Sequence, residues 1–448
     1  MIGTRPVAGS PRPYRFPEFA HHRLPNGLGV WLVPLPDREL ISIHLLTDAG
    51  AASEDEEHAG LAGLTAQVLV TGTRRLDASA FAETTERLGI EFGSESSWDS
   101  ARAGFTALGS KLDEGLGLLA EMIRTPRLDG GEFDRIKSER LNDILQARAD
   151  PGRLADESFL RELFADGNPY GRLSAGRPET VEALTVEDAR AFHADHYAPN
   201  VADVIIAGAI TPEAAIAAVE RHLGDWGGTA PEHRTFQPAQ RGGRRIVLVD
   251  RPGSVQSELR VGHLGIDRYD PRYFPAMVMA AMLGGVFGSR LNLRLREELG
   301  YTYSARSAFD PRRAVGPFTA SAAVQTEVTV DAIRELLGQL KRIGQTPPDE
   351  AELAEVRNFL VGVFPLRFET TGGIASAIEP IAIYDLPHDW WQTYRASLEA
   401  VTTDDVHRVA QELVRPNEAL VLLTGDASKL RDELESAELG PVEVIPAA

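Results

Sequence analysis

The sequence predicts an α+β chain built as two similar α/β halves, and three observations carry that prediction. Short apolar runs of buried-strand length, such as VIIAGAI and ALVLLTG, alternate with amphipathic helical stretches along all 448 residues. Two distant segments also match in register: LTVEDARAFHADHYAPNVADVIIAGAI from Leu184, and VTTDDVHRVAQELVRPNEALVLLTGDA from Val401. Thr185 and Thr402, Asp188 and Asp405, Pro199 and Pro416, Asn200 and Asn417, and Gly208 and Gly425 are all separated by the same 217 positions. Several identities in one register, on the same helix–turn–strand pattern, mark a duplication. Finally, Trp226–Arg245 is rich in Gly, Pro, Gln and Arg, as a joint between two units would be. The expected division is an N-terminal arm at 1–20, a first half at 21–226, a linker at 227–245 and a second half at 246–448.

The elements follow in order. His22–Leu35 reads as strand, Asn-Gly turn, strand. Ile41–Thr47 is a further strand, and Gly50–His58 a loop whose acidic cluster reads as solvated. Gly60–Leu69 and Ala78–Leu88 are helical, and Phe92–Leu108 alternates as a hairpin. Helices are expected at Leu112–Ile123, Phe133–Ala149 (closed by Asp150-Pro151), Leu154–Phe164 and Val186–His196. Val201–Ala207 is a buried strand and Pro212–Leu223 the last helix of the first half. In the second half, Ile246–Val249 and Glu258–Leu264 repeat the first strands. Phe274–Leu283 repeats the helix at Leu61, and Val328–Ile343 with Asp349–Phe364 repeat the helices at Leu112 and Phe133.

Composition removes several function classes. Lys and Arg number 46 against 66 Asp and Glu, a net charge of −20. That opposes nonspecific nucleic-acid binding and adhesion to anionic membranes. The absence of cysteine excludes disulfides, thiolate metal sites and a cysteine nucleophile. No apolar run is expected to reach the ~18 residues of a spanning helix. MIGTRPVAGSPRPYRF has no apolar core of a secretory signal, so the expected compartment is the cytoplasm, or the periplasm if a signal has been removed.

Leu283–Asp310 is the stretch with the most chemistry. A glycine-rich turn (Gly284, Gly285, Gly288) enters a helix in which Phe287, Leu291, Leu295 and Leu299 form one buried stripe. Gly300 fits a left-handed cap. Arg294 and Tyr301 are seven residues apart, about two α-helical turns, so both can face one way. A guanidinium and a phenol held together suit a carbonyl oxygen that becomes negative. The same spacing also fits a plain Arg294–Glu298 pair and a Tyr301 that is an ordinary strand residue. Elsewhere there is no histidine pair at i,i+4, no phosphate loop and no nucleophile elbow.

The segment GLAGLTAQVLVTGT, Gly60–Thr73, resembles the inverted zinc motif of the pitrilysin or insulinase family, which includes the mitochondrial processing peptidases. There the segment reads like G-L-A-H-F-L-E-H-M-L-F-K-G-T. Gly60, Leu61, Ala62, Leu69, Gly72 and Thr73 keep the frame, but the ligand histidines fall on Gly63 and Gln67 and the glutamate base on Ala66. The third ligand, a glutamate on a later helix, falls on Asn142 in FDRIKSERLNDILQARADP. Asp166–Asn200 and FETTGGIASAIEPIAIYDLP extend the resemblance, which runs from about His22 to Gly425.

The resemblance implies a LuxS/processing-peptidase-like metallohydrolase fold, each half a mainly antiparallel sheet with helices packed on it. It implies no metal in this chain. In a two-chain branch of that family, one chain bears zinc and the other supplies an arginine and a tyrosine seven apart, which fall on Arg294 and Tyr301. Tyr303 then corresponds to a structural tyrosine, and Gly284, Gly285 and Gly288 to a substrate-contacting loop. The implied function is the non-catalytic subunit of a heterodimeric zinc metallopeptidase. It would act on unfolded or short peptides, with zinc in a homologous H-x-x-E-H partner. The alternative is a structural or peptide-binding subunit, or an inactive homodimer, without a proteolytic role.

Overall fold

The computed structural model describes residues 12–447. Twelve strands form two six-stranded sheets. The first holds β1 (Ala20–Arg23), β2 (Gly29–Pro34), β3 (Leu40–Thr47), β4 (Glu91–Ser96), β5 (Ala101–Leu108) and β6 (Ala202–Gly208). The second holds β7 (Arg245–Asp250), β8 (Gln256–Leu264), β9 (Ala305–Phe309), β10 (Pro317–Gln325), β11 (Leu420–Gly425) and β12 (Val442–Pro446). The orders are β1-β2-β6-β3-β5-β4 and β12-β7-β11-β8-β10-β9. After the first strand of each order the other five match strand for strand, including one parallel pair in each sheet, β2 with β6 and β7 with β11. The remaining pairs of these five are antiparallel. This is the duplicated α+β architecture that the sequence predicts.

The matched residues do the same work twice. Thr185 and Asp188 form a capping box at the start of one helix, and Thr402 and Asp405 form the same box at the start of another. Each box satisfies two end N–H groups reciprocally. Pro199 and Pro416 each open a short 3₁₀ turn into the following strand, β6 or β11.

Why the central strands are apolar at every position becomes clear from what lies on each sheet face. In β2 and β6, Val30, Leu32, Val204 and Ile206 join the core under the first half's own helices. The alternate residues Trp31, Val33, Ile205 and Ala207 pack instead against Ile374, Ile378 and Ile381. Those three sit on the Thr371–Tyr384 helix of the second half. The second sheet mirrors this: Ile246, Leu248, Val421 and Leu423 face its own helices. Val247, Val249, Leu420 and Leu422 meet Leu154, Phe159 and Leu163 of the Pro151–Leu163 helix from the first half. Each half therefore lends a helix to the other half's sheet. A sheet buried on both faces needs continuous apolar runs, not an alternating pattern.

The N-terminal arm joins the same exchange. Phe16 is buried, with its ring edge-on to Phe368 at 5.0 Å. Residues 1–11 of the arm lie outside the described residues. The expectation that no apolar run reaches spanning length needs correcting for Tyr273–Glu298, whose richest window has a mean hydropathy of 1.4. It breaks at Val286–Ser289, and Met279, Leu283, Leu291 and Leu295 are buried in the second half's core. Its apolarity is that of a core helix.

Candidate functional site

The Leu61–Leu69 helix carries the degenerate metal positions. Gly63 and Ala66 are buried and Gln67 is half-buried, whereas Asn142, on the Gly130–Ala149 helix, is exposed. A Cβ added at Gly63 would lie 3.2 Å from Arg140 Nη1 and 3.3 Å from Nη2, so a guanidinium covers that position. A glycine, an amide and a second amide offer zinc no anionic or imidazole donor. Among the described residues, no group of three or more His, Cys, Asp or Glu is arranged to hold a metal. Zinc does not fit this donor set.

The acidic loop before that helix is not all solvated, as its charge suggests. Glu54 is only 3% exposed. Its two carboxylate oxygens accept the N–H groups of Ala62 at 2.6 Å and Gly60 at 3.1 Å, at the helix's electropositive start. Burial pushes its pKa up to about 8, against those two backbone bonds and the nearby Arg172 and Arg140.

In the second half no hydrogen bond joins Arg294 to Tyr301 among the described residues. Arg294 donates from Nε and Nη2 to Glu335, both at 2.8 Å, and from Nη1 to Glu298 at 2.7 Å. The i,i+4 pairing is therefore real. Tyr301 instead lines an open cleft that does not include Arg294. Leu293–Glu298 is π-helical, with Leu299 N–H bonded to Arg294 C=O and Tyr301 N–H to Leu295 C=O. Tyr301 lies beyond the end of that helix, so α-helical spacing does not set its direction. Gly300 does adopt the left-handed cap, at φ +66°.

In the glycine-rich turn, Gly284 is buried, and a Cβ there would sit 2.4 Å from Ser307 N, so it is a close-packing glycine under β9. Gly285 and Gly288 are exposed, but neither lines the Tyr301 cleft. Phe287 leaves the expected buried stripe because it lies in the break before the helix restarts at Arg290. It is 72% exposed, with the Arg296 guanidinium 3.8 Å over its ring. Tyr303, expected to be structural, is 93% exposed in the cleft wall.

That cleft, about 650 Å³, lies beside the edge strand β9 and is also walled by Gln256, Glu258, Arg260 and Arg306. A counterpart of about 550 Å³ lies beside β4, the edge of the first sheet, walled by His44, Glu95 and Arg102. Both clefts are fastened across the halves by a side-chain hydrogen bond. His44 Nδ1 is 2.6 Å from Glu379 on the lent helix of the second half, and Arg260 Nε donates to Asp156 on the lent helix of the first at 2.5 Å.

Comparison with known proteins bears on both halves. Residues 32–172 match the family model described as insulinase (peptidase family M16), and residues 183–360 match the peptidase M16 inactive domain. Between them the two matches run over most of the chain. The chain belongs to peptidase family M16. It is 25% identical to a non-peptidase homologue of Helicobacter pylori over 82% of this chain and 84% of that one. It is also 25% identical to an uncharacterized zinc protease of Streptomyces coelicolor over 91% of each. Among solved structures, an M16 inactive domain from Pseudomonas fluorescens superposes with a TM-score of 0.86 at 25% identity, covering 91% of this chain and 98% of that one. A respiratory complex III chain from Candida albicans shares the fold, with a TM-score of 0.78 at 18% identity.

This M16 chain is a non-catalytic member. The positions that the motif resemblance assigns to the metal hold Gly63, Gln67 and Asn142, and the position it assigns to the base holds Ala66. The residues that sequence reading missed are Glu54 and Arg140. Arg140 was signalled only by its place two residues before Asn142, and Glu54 was hidden inside a run of acids that otherwise face water.

Glu54 yields a pH prediction. Its folded pKa, about 8, lies above the ordinary 4.5, so between these values the folded chain binds more protons than the unfolded one. Its contribution is thus complete below about pH 4.5 and is lost as the pH rises through about 8. Thermal unfolding across that window should show the Tm of Glu54→Gln falling less with pH than that of the wild type. Parallel curves would show that Glu54 does not titrate in this way.

Proposed function

We propose that this M16 chain is the non-catalytic subunit of a heterodimeric zinc metallopeptidase. A homologous H-x-x-E-H partner supplies the zinc that activates water. This chain closes the other side of a chamber around an unfolded or short peptide. The observation that carries the reading is a complete two-sheet frame with its own metal positions abolished, while Tyr301 stands in an open cleft beside a free sheet edge. An edge strand offers unpaired backbone groups to an extended peptide, and a phenol can donate to a carbonyl oxygen as it gains charge. The test is reconstitution: chain, partner and mixture are each assayed on an unfolded peptide. Cleavage that needs both chains supports the reading, and a partner equally active alone removes it.

One observation favours the scaffold alternative. Arg294 is held by Glu335 and Glu298, and these carboxylates keep its guanidinium firmly protonated and occupied. If Arg294 works in trans, it must leave Glu335. Glu335→Gln should then maintain or raise the activity of the mixture, and Arg294→Met should lower it. If cleavage is indifferent to both substitutions, Arg294 is structural.

A further inference from the structure

We infer that Arg140 has taken over the place of the lost metal. In this chain a guanidinium, not a cation from solution, links the two helices of the former centre. The argument is geometric. Position 63 is the first ligand position of the inverted motif, and the space its side chain would enter is filled by both terminal nitrogens of Arg140, 3.2 and 3.3 Å from a Cβ there. Arg140 comes from the Gly130–Ala149 helix, two residues before the third ligand position at Asn142. Its side chain therefore reaches from one former ligand helix to the other, the span a bound metal would bridge. The acids that face it are Asp143 on its own helix and Glu54 at the start of the other. Glu54 is a buried carboxyl anchored to that helix's first N–H groups, and Arg140 acts with Arg172 to favour its charged form against burial.

Gly63 and Arg140 are thus matched, since any side chain at position 63 would press on the guanidinium and a large one would displace it. Losing the ligands is half of the change, and filling their space with a fixed positive charge is the other half. Restoring the ligands alone would set a dication against a guanidinium in the same volume, and like charges in one desolvated site exclude each other.

The experiment uses the full chain. Gly63→His, Gln67→His and Asn142→Glu are combined, with and without Arg140→Met, and bound zinc is measured by mass spectrometry after equilibration with zinc and dialysis. The ligand-restored chain with Arg140 in place should hold no zinc above the wild-type background, and adding Arg140→Met should bring stoichiometric zinc. Zinc bound while Arg140 remains, or none after its removal, overturns the inference. A second arm needs no rebuilt site. Arg140→Met should lower the Tm of the otherwise wild-type chain, and Arg140→Lys should recover most of the loss. An unchanged Tm in Arg140→Met, or lysine no better than methionine, would equally overturn it.

Discussion

Tyr301→Phe is expected to leave assembly intact and to lower the turnover of the reconstituted pair by about 10²–10³-fold, the usual cost of losing one donor to a developing oxyanion. The substitution is clean. Tyr301 packs its ring against the second half's core from a partly buried position, and phenylalanine keeps that packing. Its backbone N–H closes the helix on Leu295, a bond that does not depend on the side chain. Only the hydroxyl in the cleft is removed. A loss confined to kcat, with partner affinity unchanged, assigns the phenol to the reacting carbonyl. Unchanged turnover takes Tyr301 out of the mechanism, and a chain that no longer binds its partner would place Tyr301 in the interface.

Phe159→Ala is expected to destabilise the chain by about 3–5 kcal/mol, the range for truncating a buried aromatic. Phe159 is fully enclosed, and its ring tip lies 2.9 Å from where a Cβ on Gly262 would sit. Gly262 belongs to β8 of the second half, whereas Phe159 belongs to a helix of the first. The cavity therefore opens between the halves and not within one of them. Calorimetry should show the single transition broadening or dividing, with calorimetric and van 't Hoff enthalpies no longer equal. A core truncation inside one half, such as Ile43→Ala, should lower the Tm and keep one transition. A loss below about 1 kcal/mol for Phe159→Ala would mean that the lent helix does not couple the halves.

Much of this architecture is legible in local residues. Asp150-Pro151 marks a helix boundary because the aspartate accepts the Arg153 N–H and proline suits a first helical position. The Thr-x-x-Asp boxes announce two equivalent helices for the same kind of reason. The loss of the zinc motif is also read locally, from the residues that stand in Gly60–Thr73 where the resembling family has its histidines and glutamate. Seven-residue spacing by itself did not fix how Arg294 and Tyr301 are placed, since spacing becomes direction only once the helix type and its end are known. Here the segment is π-helical and ends before Tyr301.

The register of repeated residues was enough to predict two copies of one α/β plan, and the resemblance at Gly60–Thr73 to predict a lost zinc motif. Both rest on patterns that act over short range along the chain. Tertiary structure alone decided which helix covers which sheet, that Glu54 leaves water while its acidic neighbours stay in it, and that Arg140 lies over Gly63. Each of these joins groups far apart in sequence. What a side chain meets there depends on how two separately patterned surfaces are brought together, and no local pattern encodes it.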